Sequence, residues 1–350
     1  MREELRAKCE LLIKNRDIIR DSFRFEKELM SIVAGLIFTG EDREADAEKL
    51  KECRKILKKN TGVFSKFRDE VELALLSKMV LSDNPEKYLN DVVTVYKEFV
   101  KKKIPDNSYV IQAAALLCEQ GRMDCTDAVI ERYKELMKLM NDEHPLITSS
   151  EDISYVMLLA LTDRNIKVIL NDIEECITYL KKTCKIDVGS NSTQGLGEVL
   201  ALTDGDIKSK CDKVFSIYNL FKEKKEKYGT DCEFSALGSL VDIDAEPEVI
   251  VEEILEADAF LGENKGFKES KDFDRKKRMM FATILVAESY GKDSPSLSNT
   301  FISNSLQIIK AQQTAMWISL LLNALPSIIG GLMVSGESDE TKENTERIDQ

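Results

Sequence analysis

The stretch YVMLLALTDRNIKVILNDIEECITYLKK, residues 155–182, reads as a short apolar helix, a polar break at Thr162-Asp163-Arg164 and a longer amphipathic helix. The same layout recurs along the chain. A leucine at the heart of each short helix falls at Leu36, Leu76, Leu117, Leu159, Leu200 and Leu240, with steps of 40, 41, 42, 41 and 40 residues. Each long helix carries a second anchor pair three residues apart: Cys53 with Ile56, Tyr96 with Phe99, Tyr133 with Leu136, Ile177 with Leu180, Tyr218 with Phe221, and Ala257 with Phe260. That spacing puts both members on one helical surface. A period of about 40 residues holding two helices falls in the range of HEAT and armadillo units. One hairpin cannot bury its apolar face alone, so the copies must stack. We read the chain as all-α: a right-handed, elongated α-α superhelix of about six helical hairpins, a HEAT/TPR-like solenoid with extra N- and C-terminal helices.

Residues 1–24 form a charged helix with Leu5, Leu11, Leu12, Ile18 and Ile19 as its apolar stripe, expected to cap the stack. The hairpin repeats occupy 25–262, C-terminal helices 263–335, and an acidic tail, expected to be disordered, 336–350. Ser82-Asp83-Asn84-Pro85 supplies an N-cap and a first-turn proline for a long helix. In NDEHPLITSSEDISY, residues 141–155, His-Pro cannot continue a helix, and Ser149 with Asp152 resembles a capping box. The glycine-rich run GSNSTQGLGEVLALTDGD, residues 189–206, is expected to be a loop feeding a short helix.

Around HPLITSSEDISYVMLLAL, and again through GEVLALTDGDIKSKCDKVFSIYNLFK and AQQTAMWISLLLNA, the sequence resembles a bacterial family known as the domain of unknown function numbered four thousand and three. The resemblance covers most of the chain through a matching order of short runs. It implies a shared fold and a bacterial source, and it transfers no active residues.

The chain has 63 acidic and 50 basic residues, net −13, which argues against a nucleic-acid partner because phosphate binding needs a positive field. No pair among the eight cysteines has C-x-x-C spacing, and with a single histidine no zinc site of usual type assembles. We expect reduced thiols, no cofactor and no metal. The N-terminus MREELRAKCELL lacks a secretory apolar region, which points to the cytoplasm.

The breaks between short and long helices all carry acids, among them Asp163, Asp204, Asp206, Asp242 and Asp244. Stacked hairpins would align them into an acidic ridge. Acids at helix starts and bases at helix ends complement the macrodipole, which is the preferred reading; the functional one is a binding edge for a basic partner. Asp242, Asp244, Glu246 and Glu253 fall at positions of an EF-hand loop, but Pro247 stands where glycine is needed. Asp204-Gly205-Asp206 is no better supported as a magnesium site, and Gly195-Leu196-Gly197 is too short a pattern for a dinucleotide. His144, flanked by Asp142 and Glu143, has no nucleophile motif beside it.

Residues 315–334, AMWISLLLNALPSIIGGLMV, have the length of a membrane span, though Asn323, Pro326 and the glycine pair make insertion marginal. The alternatives are packing on the last hairpins through Met316, Trp317, Leu320, Leu321 and Leu325, or a homodimer contact. The expected function is a non-enzymatic intracellular protein-interaction scaffold with an unidentified protein partner. The alternatives are a membrane-tethered adaptor anchored by the Trp317 helix, and an enzyme with a site near His144 and the Asp152 helix start.

Overall fold

The computed structural model describes residues 1–62, 65–143, 152–270 and 273–290, and every regular element among them is helical. In order they are α1 (Glu3–Ser22), α2 (Glu28–Gly40), α3 (Ala47–Asn60), α4 (Glu72–Leu81), α5 (Pro85–Lys101), α6 (Ser108–Glu119) and α7 (Thr126–Glu143). There follow α8 (Ile153–Leu161), α9 (Ile166–Thr178) running into a π turn (Tyr179–Thr183), α10 (Ser190–Leu200), α11 (Ile207–Glu223), a 3-10 helix (Cys232–Leu240), α12 (Pro247–Gly262) and α13 (Arg275–Tyr290). The long helices start where short polar side chains can take up free N–H groups. Asp46 accepts from Glu48 and Lys49, Asn84 from Lys87 with Pro85 at the first turn, and Asp206 from Ser209.

Short and long elements divide the work of burial. Every residue of α2 from Leu29 to Thr39 is buried, as is every residue of α6 from Val110 to Leu117. A helix apolar all round belongs inside. The long helices bury one stripe each: Leu89, Val92, Val95 and Phe99 in α5, and Cys211, Val214, Ile217, Tyr218 and Phe221 in α11. All six periodic leucines are buried in the inner row.

The outer helices touch in sequence, α3 on α5, α5 on α7, α7 on α9, α9 on α11 and α11 on α12. Inside, α2 meets α4, α6 meets α8, α8 meets α10, α10 meets the 3-10 helix and that meets α13, while Lys78 of α4 pairs with Glu119 of α6.

An elongated stack with α1 as a cap at one end does not describe these contacts. Helix α1 packs on α2 and α3 on one side and on α12 and α13 on the other. Arg2 binds Glu253 of α12 and Ser289 of α13, and its guanidinium lies 3.9 Å from the Tyr290 ring centroid. Lys8 reaches Thr39 O of α2 and lies 3.6 Å from Glu288 of α13. Helix α1 therefore supplies an outer partner for α13, the last described inner helix, and joins the two ends of the described row.

Two further expectations change. The short helix expected in 189–206 begins at once, at Ser190, with no feeding loop before it; Gly195 and Gly197 lie inside it, at close approaches to Ser235 and to the backbone of Ile173. The sixth short element is 3-10 rather than α, and a Cβ on its Gly238 would stand 2.6 Å from Val199 Cγ1. The two rods press together where side chains are missing.

Candidate functional site

From Arg122 onward each helix break is joined to the next, and there most of the acids are already answered. Arg122 donates to Leu161 O at the end of α8 and lies 3.8 Å from Asp163. Arg164, one repeat later, donates to Ala201 O past α10 and pairs with Asp204 and Asp172 at 2.8 Å each. Lys210 donates to Leu200 O, and Lys213 to Ile243 O. Arg122, Arg164 and Lys210 cover the negative end of an inner helix, where carbonyls have no partner within the helix, and Lys213 holds the turn after the 3-10 helix. Asp206 caps α11, and its hydrogen bonds from Ser209 hold it below the usual carboxylate range. The charges of Asp242 and Asp244 fall on Lys213, whose own pKa burial lowers. The acidic ridge is thus a row of stitches between repeats.

The calcium pattern is also taken apart. Pro247 opens α12, and Glu253, 6% exposed, is bound by Arg2. No metal-ligating cluster of three or more His, Cys, Asp or Glu occurs among the described residues. His144, Met316, Trp317 and Leu320 lie outside the described residues, as does the whole apolar segment 315–334; no described helix is long and apolar enough to cross a membrane.

The most unusual electrostatics lies inside, between the start of α8 and the last turn of α10. Asp152, just before α8, is hydrogen-bonded to Glu198 of α10, and both are buried. Two facing carboxylates repel and leave an oxygen without a donor; Glu198 Oε2 has none when both groups are ionised. One shared proton removes both problems. Burial, then the charge of Asp152, pushes the Glu198 carboxyl well above its ordinary range, while the Gln194 amide donating at 3.1 Å works the other way. The Tyr155 phenol, itself raised by burial, senses Cys232, Glu198, Asp152 and Tyr109. Asp152 was marked by its capping pattern, but Glu198 reads only as one acid in an apolar run.

The pair has a testable signature. A carboxyl whose pKa is raised on folding holds its proton better in the native state, so its stabilising effect is present below the unfolded value of 4.5 and is lost as pH climbs toward the folded one. Glu198→Gln cannot ionise. We expect the variant to melt above the wild type at pH 8, by the equivalent of about 1–3 kcal/mol for one buried unpartnered group, and to match it near pH 4. Glu288, raised by burial to about 7 in spite of Lys8, adds a slope of the same sign to both proteins, so the difference between their melting curves from pH 4 to 8 is the measurement. Parallel curves would rule the shared proton out.

On the outside, α1 and α12 flank an open groove of about 440 Å³. Ile13, Ile18 and Phe260, each half-buried, make its apolar floor; Glu10, Asp17 and Asp21 are exposed acids on its rim with Lys14 as the one base. Lys14 is drawn away to Glu44, and Arg6 sits 5.4 Å from the Phe260 ring centroid. Ile18 belongs to the apolar stripe assigned to a cap, which left Ile13 out; the approach of α12 makes both a groove wall.

With every regular element of the described residues helical, the chain is an all-α protein. The chain belongs to the family described as "Protein of unknown function (DUF4003)", whose model matches residues 16–314. No curated protein and no solved structure matches it.

Proposed function

We propose that the chain is a non-enzymatic, intracellular protein-interaction module, an α-α superhelix of hairpins turned back on itself, which holds a basic amphipathic helix of a partner protein between α1 and α12. The groove carries this reading: an apolar floor of Ile13, Ile18 and Phe260 under three acids fits a helix with apolar residues at one-turn spacing and lysines or arginines beside them. The burial of α2, α6 and most of α13 among the described residues favours this outer groove over a concave inner face, the usual binding surface of a solenoid. The probe is a synthetic amphipathic helix with leucines at one-turn spacing, flanked by lysines or by glutamates. The lysine form is expected to bind the whole chain with micromolar affinity, to weaken at least about tenfold with Ile18→Asp, a loss of roughly 1.4 kcal/mol, and to outbind the glutamate form. Equal binding of both forms, or no effect of Ile18→Asp, would refute it.

A second reading rests on Asp152 and Glu198: an enzyme in which the protonated member of the pair acts as acid and its neighbour as base. It requires an activity that Glu198→Gln removes while the fold, followed by its melting curve, stays intact.

A further inference from the structure

Helices α9 and α11 lie side by side in the outer row, held by three rungs. Lys208 pairs with Glu175 at 2.9 Å, the Tyr179 hydroxyl donates to Asp212 at 2.8 Å, and between them the sulfurs of Cys176 and Cys211 are 3.5 Å apart. Both thiols are fully buried, and their contact is lateral, from one repeat to the next. The sulfurs need to close only to about 2.05 Å to be bonded. A third cysteine, Cys184, is half-buried and lies near enough for its charge to be felt at Cys176 and for that of Cys211 to be felt at Cys184.

The π turn explains how the third thiol comes to be there. Eight residues separate Cys176 from Cys184, and in a regular α-helix they would point about 80° apart. The wider turn over Tyr179–Thr183, closed by the Cys184 N–H on Tyr179 O, takes up that difference and returns Cys184 toward the face of Cys176. Such π turns are frequent at functional sites.

We propose that Cys176 and Cys211 form a reversible disulfide between α9 and α11, made by a hydroperoxide oxidant that enters through Cys184. The Cys184 thiolate attacks one oxygen of hydrogen peroxide; the O–O bond breaks, and hydroxide leaves and takes a proton to become water, so that Cys184 is a sulfenic acid. The Cys211 thiolate attacks that sulfur, the S–O bond breaks, and the hydroxide leaves as a second water once protonated. The Cys176 thiolate then attacks Cys211 Sγ, and Cys184 departs as a thiolate that takes up the proton Cys176 gave away. In sum, two thiols lose two electrons and two protons, one peroxide becomes two waters, and Cys184 is regenerated. Burial raises the Cys184 thiol above its ordinary range, so the entry step is slow at neutral pH and answers to sustained oxidant.

The experiment uses the full chain, purified reduced, freed of reductant and treated with hydrogen peroxide, then alkylated and mapped by mass spectrometry. Two of the eight thiols are expected to disappear, with a linked Cys176–Cys211 peptide that dithiothreitol removes. The rate is expected to rise about tenfold from pH 7 to pH 8, following the thiolate, and Cys184→Ser is expected to slow the reaction by about tenfold or more while the same bond forms. Eight free thiols after treatment of the folded wild type, or a link between other cysteines, would overturn the proposal without recourse to any variant. A Cys184→Ser rate equal to that of the wild type would overturn the entry route.

Discussion

Deletion of residues 1–22 is expected to abolish cooperative unfolding of the whole chain rather than to fray one end. In an open stack each repeat leans only on its neighbours, so loss of a terminal helix leaves the others largely as they were. Helix α1 has two sets of neighbours. It buries Leu5, Cys9, Leu12 and Ile19 completely, and its removal bares both α2 and the α12–α13 pair. Burying a large apolar side chain is worth about 1.5–3 kcal/mol, so the loss reaches the whole stability of a typical domain, about 5–15 kcal/mol. Asn15, fully buried, goes too; it accepts from Ala45 N and donates to Arg43 O and Thr39 Oγ1, fixing the chain that leaves α2. Thermal unfolding followed by circular dichroism decides the matter: a truncated chain melting cooperatively within a few degrees of the full one would refute closure.

The second large effect is expected at Asp258. This α12 carboxylate is 2% exposed and accepts from Arg278 Nε on one oxygen and from Arg275 Nε on the other, each at 2.8 Å. Arg278, 8% exposed, also donates to Phe267 O at 3.0 Å. Removing one partner of a buried pair strands the other charge, which costs about 3–5 kcal/mol. Asp258→Ala is therefore expected to destabilise by that amount in urea titration. Arg275→Ala, at a side chain 39% exposed with water to screen it, should lose far less. Equal losses for the two variants would contradict this account of the α12–α13 joint.

Much of the helical layout was legible because it is periodic. The six leucines and the paired anchors of the long helices mark inner and outer rows, since burial on all sides and burial on one stripe leave different residue patterns. The meeting of α1 with α12 and α13 was not legible. Arg2 with Glu253, and Lys8 with Glu288, are separated by more than 250 residues, and charge pairs leave no spacing to follow. A helix with one apolar stripe reads alike as a cap and as a seam. The glycines of α10 were misleading in another way: Gly195 and Gly197 permit close packing inside a helix, which local composition cannot tell from a loop. The groove depends on that same unseen seam, because Phe260 and Ile13 face one another only after α12 reaches α1.

A row that meets itself also restricts how such a chain can evolve. Open arrays lengthen and shorten by duplicating or losing whole units, each new copy adding one more step to the ladder. Here an extra helical pair would have to be wedged between neighbours joined by stitches such as Arg164 to Ala201 O, and α1 would no longer reach α12 and α13. Relatives should therefore keep a constant number of pairs and confine insertions and deletions to the turns.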